Sequence, residues 1–350
     1  MTGRSPLMEP RPPANAARLP RDARFVAPPG GGPITTPPAE PRFPRELRAA
    51  VIFNKKARRN LEADSARSLA SAGIGHAAPD THEDLRRALA DFAGRGVNGI
   101  VIDGGDGTVR DVATFAAAIF PGGLPLLTLV PSGKTNALAL DLGIPSGTPV
   151  EAALEALRSG RVKQRAPIEI VREGSSAPDL RGFIFGAGAF VRATNLAQRT
   201  HRLGAFNNVA VGLSIAGGVA QTLIGGKRNA WRRGDHTRIA VAGDGRLDRA
   251  LYVLIASTLK RMPLGITPFG APRAGLKLLA IDAPPKRMLA SLPALLAGRQ
   301  ASWLEGAGYH RIDAGEIELT LSGDFVLDGE VYPGGPMTMR QGAPIAFAVP

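Results

Sequence analysis

The residues most able to do chemistry lie in three short clusters. Asp103-Gly104-Gly105-Asp106-Gly107-Thr108 stands directly between an apolar run and a helix-like run. Three glycines in four positions let a ligand approach the backbone, and the N-terminus of the following helix offers N–H groups and a positive dipole end to a phosphate. Asp106 is then an acid among phosphates, which makes sense if it holds a divalent metal or a hydroxyl. A tight strand-to-helix turn with Asp106 as a plain helix cap accounts for the same residues. The second cluster, Pro131-Ser132-Gly133-Lys134-Thr135-Asn136, also follows an apolar run and opens a helix. Its Gly-Lys-Thr triplet is not a Walker A loop, which needs a glycine five positions before Gly133, where Thr128 stands. A Ser or Thr cap at a helix start is the bland alternative. The third, Phe325-Val326-Leu327-Asp328-Gly329-Glu330, sets two acids around a glycine after a strand, and alone it fits a hairpin turn as well as a site.

The elements that must position these clusters read as follows. Ala49 to Asn54 is an apolar run ending in a polar, basic loop, and it predicts a buried strand. Thr81 followed by Asp84 predicts a helix start, with Leu85, Leu89 and Phe92 at helical spacing behind it. Val97 to Ile102 and Leu124 to Val130 predict strands; 108–120, 135–142 and 150–158 predict helices. Strands alternating with helices imply a parallel sheet covered on both faces, with ligands outside the carboxyl ends of the strands, where the first two clusters lie. Beyond residue 160 the pattern changes to short β-rich segments at 167–172, 182–190, 237–242, 251–257, 275–281, 316–321 and 324–327, which predict a sandwich or barrel.

Composition narrows the chemistry. Of the 350 residues, 44% are hydrophobic and 21% charged, as in a globular protein. There is no cysteine, which excludes a disulfide scaffold, a zinc-thiolate site and a cysteine nucleophile. The five histidines form no HxxxH or HExxH pair. Residues 1–45 hold 12 of the 30 prolines and almost no apolar periodicity, so they predict a flexible tail. No secretory signal is visible at the start, which predicts a cytoplasmic protein. The uncharged stretch 203–226 is too interrupted by Asn, Ser, Gln, Thr and Gly for a membrane span and reads as a helix that is buried or lies on a membrane surface.

Together the three clusters resemble the diacylglycerol kinase family of lipid kinases, which includes sphingosine and ceramide kinases. The resemblance covers about residues 48–350: Gly104 to Thr108 match GGDGT, Pro131 to Asn136 with Leu142-Gly143-Ile144-Pro145 match the family's second loop and its LGIP sequel, and Asp328-Gly329-Glu330 matches DGE. It implies a disordered tail over 1–47, an ATP-binding α/β domain over 48–146, and a β-sandwich lipid-binding domain over 147–343. A final strand near 344–350 would return to the first domain. It further implies ATP phosphates on residues 104–108 and 132–136 with Asn54 beside them, Asp106 orienting Mg²⁺ and phosphate, and Asp328 or Glu330 as general base toward a lipid hydroxyl.

Three departures from the family stand out. Lys134 replaces the usual Thr, which either adds positive charge to the phosphates or crowds them. Ala137 replaces an Asp that often follows the loop's Asn. Arg273-Ala274-Gly275-Leu276-Lys277 replaces an acidic stretch that holds a structural Mg²⁺ in bacterial members, so no metal is expected there and a lysine can take its space. These losses keep a weak or inactive kinase in view.

The formal charge of +13 is concentrated. Residues 192–261 carry 12 Lys and Arg against three acids, bracketing the uncharged stretch. Arg228, Arg232 and Arg233 with Trp231 predict peripheral docking on an anionic membrane, at the inner face. An ordinary solvated basic face is the alternative. Nucleic acid is not expected, with only two Trp and three Tyr and no recognisable nucleic-acid-binding motif. The competing functional readings are an NAD kinase, whose family also uses GGDGT, and a catalytically silent adaptor that binds nucleotide or membrane.

Overall fold

A computed structural model of the chain describes residues 46–54, 73–120, 122–201, 230–241 and 245–350. The expected tail, the basic loop after Asn54, the uncharged stretch 203–226 and Arg228 lie outside the described residues, apart from the last two residues of the tail.

The first sheet runs in the order β2-β1-β3-β4-β17-β5, made of β1 (Ala49–Phe53), β2 (Gly75–Ala77), β3 (Gly99–Gly104), β4 (Leu126–Pro131), β5 (Arg161–Arg165) and β17 (Ile345–Val349). All its pairings are parallel except that of β17 with β5. The central strands β1, β3, β4 and β17 are mainly apolar because both faces are covered, and successive side chains go to opposite layers. Ile52, Ile100, Ile102, Leu127 and Leu129 face α1 (His82–Gly94) and α2 (Asp106–Ile119). Val51, Phe53, Val101, Leu126 and Val130 face α4 (Val150–Ser159), which follows the short α3 (Ala137–Leu142). The α1 start is the expected capping box: Asp84 N–H donates to Thr81 Oγ1 and Thr81 N–H to the Asp84 carboxylate, both at 3.1 Å.

The second sheet has 11 strands. One layer follows β15 (Glu330–Tyr332), β14 (Phe325–Leu327), β8 (Ile184–Gly188), β10 (Gly245–Ser257), β11 (Leu276–Asp282) and β12 (Tyr309–Ala314). The other joins β9 (Asp235–Val241), β13 (Glu316–Leu321), β16 (Gly335–Gln341), β6 (Ile168–Arg172) and β7 (Leu180–Gly182). The 13-residue β10 belongs to both layers: Gly245 to Leu251 pair with β9, while Val253 to Ser257 pair with β8 and β11. One long strand thereby turns a single antiparallel sheet into a sandwich filled by Ile170, Phe185, Leu254, Leu278, Ile317 and Phe325. Outside this core, α5 (Ala189–His201), α6 (Ala230–Arg233), α7 (Met288–Leu296) and α8 (Ser302–Gly306) complete the unit. The two units meet where Phe183, just before β8, sits edge-on to Phe347 of β17, 6.3 Å between ring centres.

Candidate active site

The first two clusters end adjacent parallel strands. β3 closes at Gly104 and Gly105 caps α2; β4 closes at Pro131 and Asn136 caps α3. The two loops touch backbone to backbone: a Cβ on Gly105 would lie 3.0 Å from Gly133 Cα, so both positions need glycine for that approach. Ser132 N–H donates to Gly104 O at 3.3 Å. Within the second loop Asn136 adopts a left-handed conformation (φ 48°), and its amide closes a ring: Gly133 N–H donates to Asn136 Oδ1 (3.0 Å) and Asn136 Nδ2 donates to Gly133 O (2.8 Å). On the other side, Asn54 Nδ2 donates to Thr108 Oγ1 at 2.9 Å, which fixes the end of β1 to the first turn of α2.

Asp106 does cap a helix, but not the one that it opens. Its two carboxylate oxygens accept from the N–H groups of Ala137 (3.0 Å) and Leu138 (3.1 Å), the first turn of α3, so the acid of the first cluster holds the second loop in place. Burial raises its carboxyl, and those two N–H groups pull the other way. The start of α2 itself has no side-chain cap, which leaves its first-turn N–H groups for a ligand.

The third cluster is a hairpin. Leu327 pairs with Glu330, so Asp328-Gly329 is a two-residue turn with φ of 46° and 85°. That turn aims the Asp328 carboxylate back across the sheet, where it accepts from Phe183 N–H (3.0 Å) and Ile184 N–H (2.9 Å). Gly182 makes room: a Cβ there would stand 2.6 Å from Asp328 Oδ2. Burial pushes the Asp328 carboxyl up to about 7, with the Asp106 charge adding to the rise, while Ile184 N–H, Arg110 and Phe183 N–H oppose it. Glu330, directly after that turn, is instead 47% exposed and ion-paired with Arg110.

Arg110 is the residue that sequence reasoning missed. It lies one turn into α2, is 2% exposed, and donates through Nη1 to Leu327 O (3.1 Å) while its guanidinium pairs with Asp111 (2.8 Å) and Glu330. Its guanidinium also lies 5.6 Å from the Tyr332 ring centre. One side chain therefore ties the GGDGT helix to the DGE hairpin. The available signal was a charged pair, Arg110-Asp111, in a helix with no other charge after Asp106. The backbone donors at 183 and 184 leave no trace in side-chain type.

Elsewhere the expected residues separate from this cleft. Arg232 is half-buried and Arg233 exposed on α6, beside β10. In the 273–277 segment, Lys277 is buried and its ammonium donates to the carbonyls of Arg273 (3.0 Å) and Gly275 (2.9 Å). Burial, with Arg273 next, pushes that amine down to about 8.

A triphosphate and a dication fit what is present. The close-set glycines and the uncapped α2 start form an anion cradle, and the buried Ser132 Oγ beside it has no hydrogen-bond partner. Asp106 keeps carboxylate lone pairs beyond its two N–H bonds, the all-oxygen donor that a hard dication takes.

Comparison with known proteins agrees with this geometry. Residues 48–170 match the model of the diacylglycerol kinase catalytic domain. The chain is 32% identical over 87 residues to the "Probable lipid kinase YegS-like" of Cronobacter sakazakii (strain ATCC BAA-894). That match spans 25% of this chain and 27% of the relative. Among solved structures, a "putative diacylglycerol kinase" from Bacillus anthracis str. Sterne superposes with a TM-score of 0.62 at 14% identity, covering 87% of this chain and 97% of that one. A diacylglycerol kinase structure from the same organism gives 0.57 at 13%, with the same coverage. At such identities these structures establish the fold, an α/β unit with a parallel-dominated sheet joined to an antiparallel sandwich. Over residues 48–170, with GGDGT and the second loop at adjacent strand ends, the chain is similar to the diacylglycerol kinase catalytic domain.

Proposed function

We propose that the protein is an ATP-dependent kinase of a lipid hydroxyl, of the diacylglycerol or sphingoid and ceramide type, acting at an anionic membrane surface on the cytoplasmic face. The observation that carries this reading is the Asp328 carboxylate, held by two N–H groups beside the α2 start and poised near pH 7.

In this reading Gly104 to Thr108 and Ser132 to Asn136 hold the phosphates, with Asn54 bracing Thr108 and the exposed Lys134 adding positive charge. ATP supplies the γ-phosphoryl group and Mg²⁺ neutralises charge on the phosphates. Asp106 keeps the two loops in register through α3 and offers its remaining lone pairs to the metal. Asp328 accepts the proton of the lipid hydroxyl as the new O–P bond forms and the bond to the ADP oxygen breaks, so the proton ends on the carboxylate. Of the two candidate bases Asp328 is the better one, because Glu330 is exposed and already neutralised by Arg110. Glu330 instead holds the hairpin. The membrane contact is supported by the excess positive charge of residues 192–261, including Arg232 and Arg233 on α6. No helix among the described residues is long and apolar enough to cross a membrane.

The test is transfer of label from ATP, with Mg²⁺, to a panel of diacylglycerol, ceramide, sphingosine and NAD. Label in one or more lipids is expected. Label in NAD alone, or in none of the four, contradicts the reading.

A further inference from the structure

A helix on the outside of a globular protein ordinarily keeps a polar face toward water. α7 does not. Met288, Ser291 and Leu295 are its buried side, and its opposite side presents Leu289, 71% exposed, with Ala290 and Pro293 exposed beside it. No charged residue occurs from 288 to 298. The helix has a cationic frame: Lys286 and Arg287 precede it, Arg299 follows it, and all three are exposed.

Neighbouring elements extend the same exposed apolar character. Trp303 on α8 is 39% exposed, while Leu304 beside it is buried in one cluster with Met288 and Leu295. At the other end, Thr267 N–H and Oγ1 donate to Leu296 O (2.8 and 3.2 Å), and three residues before Thr267 stands the exposed Leu264. Over residues 257–308 there are seven Lys and Arg against two acids, Asp282 and Glu305.

We infer that the outer face of α7, with Trp303 and Leu264, is a docking surface that enters the interfacial layer of an anionic bilayer. A nine-residue helix is about 14 Å long, too short to span, so it lies in the membrane plane with Leu289 toward the acyl chains and Lys286, Arg287 and Arg299 at the headgroups. A tryptophan beside such a helix suits the same layer. The charge of the segment selects an anionic occupant, and the exposed Leu289, Leu264 and Trp303 favour a bilayer over an acidic protein face. The inference deepens the proposed membrane action and rests on that reading only for its purpose, because bilayer binding does not require phosphoryl transfer.

The chain has no cysteine, so Leu289→Cys carries a single environment-sensitive fluorophore in the full-length protein. Its emission should shift to the blue with vesicles of phosphatidylcholine and phosphatidylglycerol, and much less with phosphatidylcholine alone. Leu289→Glu should weaken co-sedimentation with the anionic vesicles about tenfold or more. Replacing Lys286, Arg287 and Arg299 by Gln should weaken it about fivefold per charge. Leu289→Glu should leave transfer to a short-chain acceptor in detergent unchanged. If neither parent nor variant transfers label yet vesicle binding depends on residue 289, the kinase reading fails and this one stands. Undiminished vesicle binding by Leu289→Glu overturns the inference. So does a blue shift that follows protein concentration without vesicles, which would make the face a contact between copies.

Discussion

Asp106, at the start of α2, and Asp328, in the β14–β15 turn, lie near enough for their charges to interact, and each accepts two backbone N–H groups from an element other than its own. Their settings differ in one respect. Asp106 receives the opening N–H groups of a helix, so its bonds serve an element that needs a cap; Asp328 receives the N–H groups of 183 and 184 from the start of a strand and is itself held in a left-handed turn. The first carboxylate is a clamp between loops, and the second is held ready beside the cradle with its proton affinity near neutrality. Identical donor counts thus produce a brace in one place and a candidate base in the other.

Substituting each acid separates the roles. Asp328→Asn should lower the transfer rate by about 10² to 10⁴ with the fold intact, as read by initial rates and circular dichroism. Asp106→Ala should also lose transfer, but it removes the cap of α3 and should cost about 1 to 2 kcal/mol in a urea titration. If Asp106→Ala unfolds at the urea concentration of the parent, Asp106 is no clamp.

The link between the two sheets is the next target. Arg110→Ala leaves Leu327 O and two carboxylates without their guanidinium and should cost about 2 to 3 kcal/mol. Because Arg110 holds the Asp328 carboxyl down, the pH at which transfer is half-maximal should move upward in this variant. Arg110→Lys should recover little of either effect, since an ammonium lacks the planar fork. A merely structural arginine would change stability and leave that midpoint in place.

A buried charge far from the cleft in sequence is tested through stability alone. Lys277 titrates near 8 in the fold and at its ordinary 10.5 when unfolded. The unfolded chain therefore binds the extra proton between these values, and stability should rise with pH across about 8 to 10.5, by at most ~3 kcal/mol. In Lys277→Met that slope should vanish. An unchanged slope would assign it to another group.

Much of this was legible in the sequence, for physical reasons. Ala49 to Phe53, Gly99 to Ile102 and Leu126 to Val130 are runs apolar but for Thr128 because a sheet covered on both faces favours apolar side chains, and their loops carry glycines that no other residue could replace where Gly105 meets Gly133. The cap by Thr81 and Asp84 is local chemistry within four residues. What could not be read is tertiary. The bond from Arg110 to Leu327 O spans 217 positions, the donors to Asp328 are backbone groups, and β5 reads as a polar segment, Arg161-Val162-Lys163-Gln164-Arg165, because it is the edge of its sheet. The apolar outer face of α7 escaped because Leu289 and Leu292 read as core until their burial is known.

The central claim is that Asp328 takes the proton in phosphoryl transfer. It is tested most directly by the initial rate of label transfer from saturating ATP to a lipid hydroxyl between pH 5 and 9. The rate should climb about tenfold per unit below pH 7 and level off above it, as a carboxylate with a value of about 7 requires. A rate already level at pH 5.5, where that carboxyl is protonated, would contradict the account.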